Sequence, residues 1–390
     1  MITFAFDRKG PHGFVPNLVE RTDIVPESNE WWDLCNIAPH ATEFKITKYL
    51  ELEDIPYQRV LVEDLTDSAV YPINLQVFDP NIGYFKFISE LALDKCRDGK
   101  LKIVFYFENP IDTMAFEKYV IEFSQRHRID NSLISVITVN KPHNDKGRFY
   151  YFPRSEFDFH HSSKNIDYVR NVNTKIRNKK FTCISEYDTS ITRLFGATLW
   201  YQGLSSEGYF KYSEHDKALG ITNNSKDSSY KFSKFWKDPA GLMENFIMHV
   251  PFSSYAQEDL SGLDIYSNSY WNIVMEANFS KSKNSLSDAV FKSILNLQPF
   301  VIVGPPGSLK LLNDQGYETF DYWISEKYDR IKNDEERLHT CFQVLYEIAS
   351  MDSAQLTKMT KEIIPVLAHN QQVFLSSKKE KLSKLLRKIQ

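Results

Sequence analysis

The chain has 390 residues, enough for two domains at roughly 100–200 residues each. Its 42% hydrophobic and 14% aromatic content excludes a disordered chain, and a net charge of −4 excludes a protein whose whole surface grips nucleic acid. Four scattered cysteines (Cys35, Cys96, Cys183 and Cys341) form no CxxC pair, which argues against a disulfide scaffold or a zinc site. The opening MITFAFD lacks the charged start and apolar core of a signal peptide, and no apolar run approaches the roughly 18 residues of a membrane helix. The expectation is a cytoplasmic chain with no membrane partner.

The first recognisable element is a strand at 71–78 (YPINLQVF), followed by a turn at 80–83. Phe85, Ile88, Leu91, Ala92 and Cys96 then form a helical stripe that ends at Gly99. A second strand is expected at Leu101–Phe107, closing in Glu108-Asn109-Pro110, and a helix with Phe116, Tyr119, Val120 and Phe123 on one side follows. A third strand covers 133–139 (LISVITV). Strands separated by helices of this length imply βαβ crossovers and a parallel sheet.

Residues 140–180 are polar, aromatic and basic and read as an insertion or interdomain link. His160-His161 read as extended, with side chains pointing apart, and therefore as no metal site. The pattern restarts with a strand at 180–185 and a helix at 191–201 bearing Arg193; a polar loop spans 222–233. A strand at 270–275 (YWNIVM) runs into Glu276, with Tyr270 and Trp271 read as core. Ser287 is placed to cap a helix carrying Asp288 and, one turn on, Lys292. The all-apolar run 300–303 (FVIV) has the character of a strand buried on both faces. It breaks at Gly304-Pro305-Pro306-Gly307, where Ser308 is expected to cap a short helix stopped by Gly316. Beyond Asp334 helical stripes dominate, ending in Leu382, Leu385, Leu386 and Ile389. The expected architecture is α/β: two Rossmann-like domains, 1–178 and 179–345, with a C-terminal helical segment at 346–390.

A buried strand feeding a Gly-rich turn and a helix start is how α/β proteins present N–H groups to anionic ligands. The turn is not a P-loop, because Leu309 and Leu311 stand where that motif needs Gly and then Ser or Thr. Glu276, Asp288, Lys292 and the Gly304 turn are expected to converge on one crevice at the carboxyl edge of the second sheet.

The order of these residues resembles the donor-site pattern of the family-10 fucosyltransferases. It is closer still to phage and marine-virus glycosyltransferase-like proteins. The chain keeps Trp271-Asn272, Glu276, Phe291-Lys292, Pro299-Phe300, Gly304, Gly307-Ser308-Leu309, Gly316, Thr319-Phe320 and Tyr328-Asp329. It departs at Ser287-Asp288-Ala289, where the family's acid is shortened and its basic residue lost, so the family's sugar specificity is not carried over. The resemblance implies a GT-B-like fold, its two domains facing across a cleft, and a glycosyltransferase using a nucleotide-sugar as co-substrate with no cofactor and no metal. Arg193 and Lys292 are the phosphate candidates, and Glu276 the residue for ribose or sugar hydroxyls. Asp288, Gly304 and Ser308 complete the donor set, and Glu108 is the expected catalytic base.

For the acceptor, the basic cluster Lys175, Arg177 and Lys179, with the lysine-rich tail, suggests double-stranded DNA. The family's abundance in phages makes a hydroxymethylated base the expected acceptor and a host cytoplasm the expected location. A glycan or small molecule is the alternative. A second class also stays open: a non-catalytic nucleic-acid-binding or structural phage protein with a degenerate GT-B fold.

Overall fold

The computed structural model describes residues 1–6, 45–75, 78, 88–142, 147–165, 167–185, 189–212, 232–249, 262–279 and 284–390. The expected turn at 80–83, Phe85, most of the polar loop at 222–233 and Cys35 lie outside them. The chain divides into two compact units. Unit 1 is Met1–Phe157 with Ser377–Gln390, and unit 2 is Asp158–Ser376.

Unit 1 runs β1 (Ile2–Phe6), α1 (Lys45–Leu52), β2 (Tyr57–Leu61), β3 (Ala69–Leu75), α2 (Glu90–Arg97), β4 (Leu101–Phe107), α3 (Thr113–His127), β5 (Ile134–Thr138), β6 (Phe149–Tyr151) and the start of α4 (Arg154–Ser162). Its strands form one parallel sheet in the order β2-β1-β3-β4-β5-β6. The period-2 geometry of a strand sorts the side chains by parity. Ile103, Phe105 and Phe107 pack with Ala92, Phe116 and Val120 of α2 and α3. Val104 and Tyr106 pack on the other face with Ile46 and Leu50 of α1. Both faces are covered, so β4 reads LKIVFYF with hardly a polar residue.

Unit 2 runs β7 (Lys179–Ser185), α5 (Ser190–Tyr201), β8 (Gly208–Tyr212), α6 (Pro239–His249), α7 (Gly262–Asn268), β9 (Ser269–Met275), α8 (Asp288–Leu295), β10 (Phe300–Val303), α9 (Ser308–Asp314), α10 (Asp334–Ser350) and α11 (Ser353–Ser376). Its sheet is also parallel, in the order β10-β9-β7-β8. Every residue of β9 and β10 is buried. The last helix, α12 (Lys378–Ile389), belongs to unit 1, where Leu382, Leu385, Leu386 and Ile389 fill the core beside α1.

Several expectations shift. The pattern assigns no element before 71, whereas β1, α1 and β2 lie there, and β6 with α4 occupy part of the expected link. The short β6 and the edge strand β2, with Gln58 and Arg59 exposed, carry too little apolar periodicity to stand out. Leu91 is exposed and Leu93 takes its place on the buried face of α2. His160 and His161 lie on α4, not on extended backbone. The compact units also part from the expected spans: unit 2 begins at Asp158, and 346–390 divides between the units at Ser377. Among the described residues no helix is long and apolar enough to cross a membrane.

The clamp on α12 is ionic. Glu156 is fully buried and accepts from Lys378 Nζ at 2.7 Å and Lys381 Nζ at 2.7 and 2.8 Å; Lys378 is 1% exposed. The two ammonium groups hold the Glu156 carboxyl below its ordinary range against the opposing effect of burial, while burial brings Lys378 down to about 8. Removing one partner of such a group leaves uncompensated buried charge. Glu156→Gln is expected to lower stability by about 3 kcal/mol in urea unfolding, and the triple variant Glu156→Met, Lys378→Met and Lys381→Met, which leaves no unpaired charge of the cluster behind, to recover most of it. Equal stability of the single variant and the native chain would contradict this account.

Candidate functional site

In a parallel sheet the ligand crevice lies outside the carboxyl ends of the strands, where the strand order reverses. In unit 2 the chain leaves β7 toward β8 on one side and returns to β9 on the other. The reversal therefore lies between β7 and β9, and Glu276 is the residue that follows β9.

Glu276 is 6% exposed, and its carboxylate accepts the Ser287 N–H at 3.0 and 3.1 Å and the Ser287 hydroxyl at 3.1 Å. Ser287 stands at the N-cap position of α8 but makes no side-chain cap of its own; Glu276 satisfies its N–H instead. Burial pushes the Glu276 carboxyl up to about 7, with the Asp288 charge adding to it and the Ser287 bonds opposing. Gly304, just past β10, is closely approached by Glu276: a Cβ there would stand 3.0 Å from Glu276 Cγ, a tight contact. Asp288 and Lys292 share a helix face and pair at 2.9 Å, half-exposed. Arg193 stands in the first turn of α5, which follows β7.

The structure thus brings Glu276, Asp288 and Gly304 into one neighbourhood, with Lys292 paired to Asp288. The helix after the Gly304 turn differs from expectation. Gly307, at φ +84°, holds the N-cap position of α9, and Ser308 is already helical, its buried hydroxyl donating to the Pro305 carbonyl at 2.7 Å. The N–H groups of Leu309 and Lys310 go to the Asp329 carboxylate at 2.9 and 3.3 Å, and the Gly307 N–H to the Asp329 carbonyl at 2.7 Å. The anion seat expected at this turn is filled by the chain's own carboxylate, so Ser308 caps nothing.

Arg337 is the residue sequence reasoning missed most completely. It is 1% exposed on α10 and donates to the carbonyls of Gly304 (2.9 Å), Ile331 (3.0 Å) and Phe279 and to Asp334 (2.9 Å). Its guanidinium lies 4.1 Å from the Phe279 ring centre. One fork therefore ties the segments after β9 and β10 to the start of α10. An arginine in an amphipathic stretch carries no sequence signal for such burial.

In unit 1, Glu108 follows β4, is 7% exposed, and pairs through Oε2 with Lys45, the first residue of α1. Asn74 of β3 donates to its Oε1 at 2.6 Å, and Arg154 donates to its carbonyl at 2.7 Å. The expected acceptor cluster separates. Arg177 is 5% exposed and donates to the carbonyls of Ser269 (2.5 Å) and Asn173 (2.8 Å), so its charge serves the interior of unit 2 rather than a surface phosphate. Lys179 donates to the Ser206 carbonyl at 2.9 Å, and Lys175 is exposed.

No protein-family model and no curated protein matches the chain. Similar solved structures include an alpha1,3-fucosyltransferase, with 10% identity, TM-score 0.36, and coverage of 96% of this chain and 90% of that one. Another is a UDP-forming trehalose-phosphate synthase from Burkholderia xenovorans, with 10% identity, TM-score 0.37, and coverage of 94% and 81%. A third is the E. coli trehalose-6-phosphate protein bound with UDP-2-fluoro glucose, with 10% identity, TM-score 0.40, and coverage of 94% and 81%. At these values the functional reading stands on this chain's own residues.

Two outcomes test the geometry. Asp329→Ala strips the cap from α9 and is expected to cost about 1–2 kcal/mol in chemical denaturation. Between pH 4.5 and about 7 native Glu276 keeps a proton that the unfolded chain has lost, so its contribution to stability falls as pH rises through that window. Glu276→Gln should flatten part of that decline in the thermal midpoint; the raised Glu326, also about 7, retains the rest.

Proposed function

We propose that the chain is a GT-B-type glycosyltransferase that takes a nucleotide-sugar on unit 2 and an acceptor hydroxyl on unit 1. The observation that carries the reading is Glu276, a buried carboxyl at the strand-order reversal of a parallel sheet, packed close against Gly304. Near neutral pH its carboxyl is poised to donate to, or accept from, ribose or sugar hydroxyls. Arg193 and Lys292 supply positive charge for the departing diphosphate, and Asp288 orients Lys292 at 2.9 Å. With the α9 N–H groups held by Asp329, the diphosphate depends on these side chains more than the sequence pattern implies.

Glu108 is the proposed base. Lys45 and Asn74 fix its carboxylate in place, and each oxygen retains a further lone pair for an incoming hydroxyl proton. The acceptor is read as a glycan or small molecule in preference to a modified base in phage DNA. Two cations counted toward a DNA track, Arg177 and Lys378, are buried in the units that hold them. Metal-independent transfer is part of the same proposal.

A thermal-shift screen against UDP, GDP, CMP and their sugars tests the donor reading. One nucleotide at about a hundredfold over its Kd should add about 2.7 kcal/mol of stability. Glu276→Ala should weaken that binding, and Glu108→Gln should abolish turnover while leaving it intact. No stabilisation by any nucleotide would sink the enzyme reading and favour the non-catalytic alternative. Glycosylated nucleosides, found by mass spectrometry after incubation with DNA, would restore DNA as acceptor.

A further inference from the structure

Unit 2 holds a cavity of about 400 Å³ whose lining shares no residue with the proposed donor set. Its walls come from α5, α6 and α10 and from the segment 235–238. Gln202, at the end of α5, stands about 13 Å of helix rise beyond Arg193. Small-molecule pockets of roughly 300–1,000 Å³ are usual, so the space suffices for a ligand. It also opens to solvent. Tyr201 is 72% exposed and Phe235 36% exposed, and both line the cavity.

The wall at 235–238 has no regular secondary structure, yet it is fixed in place. The Phe235 N–H donates to Glu335 Oε1 at 2.9 Å, and Trp236 Nε1 donates to Thr198 Oγ1 at 2.9 Å. Asp238 Oδ1 accepts the Gly241 N–H at 2.9 Å in the first turn of α6. The rings are held accordingly. Phe235 stacks on His339 with centres 4.0 Å apart and planes 5° apart, and Trp236 stands edge-on to His339 at 5.9 Å. Burial holds the His339 imidazole below its ordinary range, so at neutral pH it is an uncharged ring. Fixed flat rings of this kind receive a further flat ring by stacked or edge-on contact.

The polar groups narrow the choice. Lys237 is exposed, and its ammonium has no partner among the described residues; the Gln202 amide is likewise exposed and uncommitted. Both offer N–H donors. The carboxylate on the same wall, Asp238, is occupied by the Gly241 N–H, and the positive end of the α6 dipole offsets its charge. We infer that this cavity binds a small planar aromatic acid, its ring against Phe235, His339 and Trp236 and its carboxylate on Lys237 and Gln202. The inference goes beyond the glycosyltransferase reading and stands without it.

Calorimetric titration of the full chain with naphthoate tests the site. Two comparison probes separate its parts: naphthylmethanol keeps the ring without the charge, and cyclohexanecarboxylate keeps the charge without the flat ring. Naphthoate should bind, and each comparison probe should bind more weakly. Lys237→Met should weaken naphthoate about tenfold, the worth of a charged hydrogen bond at an open site. Tyr201→Ala should weaken it too, and both positions are exposed, so the fold tolerates the changes. In the unsubstituted protein, hydrogen–deuterium exchange should slow in Pro239–His249 when naphthoate is added. No binding of naphthoate, equal binding by Lys237→Met, or equal binding of cyclohexanecarboxylate would overturn the inference. Displacement of naphthoate by UDP or GDP would overturn it as well, by placing the acid in the donor crevice.

Discussion

A carboxylate taken out of water has to be met by cations or backbone N–H groups, and this chain meets that demand repeatedly at the ends of its secondary structure. Glu156 is met by two lysines, Glu108 by Lys45 and Asn74, Glu276 by Ser287, and Asp329 by the first N–H groups of α9. Most of these contacts join segments distant in sequence. The parallel sheets supply the scaffold, while the carboxylates fix how the loops at their carboxyl edges are tied down.

The consequences differ from site to site. At Glu156 the positive charge is complete, the group is sealed, and the effect is to hold α12 in the unit 1 core. At Glu276 the partners are weaker hydrogen bonds in a buried setting, so the proton is retained into the neutral range. Two glutamates with similar burial thus end with opposite displacements, because one has ammonium groups within reach and the other has only an amide and a hydroxyl.

Asp329 illustrates how a motif can be legible while its role is not. Tyr328-Asp329 stands among the residues shared with the glycosyltransferase pattern, and Gly307-Ser308 suggests an anion at the start of α9. Only the fold shows that the aspartate itself is that anion. Arg337 makes the same point from the other direction. Its position in α10 looks like one more charged residue of an amphipathic helix, yet it is buried and links three loop carbonyls.

The sequence by itself determined the strands whose two faces are both buried. Phe300–Val303 announces itself as an unbroken apolar run, Leu101–Phe107 and Ser269–Met275 as largely apolar ones, and the helical stripes after Asp334 do so by their period. It also placed Glu276 and Glu108 at strand ends and Gly304 at the turn, because strand termini follow from local chemistry. Left to the tertiary structure were the pairing order of the strands, the short β6 and edge β2, the return of α12 to unit 1, and the partner of every buried charge. Those depend on contacts between residues far apart in the chain, as between Glu156 and Lys378 or Leu309 and Asp329, and no local period or propensity encodes which distant groups meet.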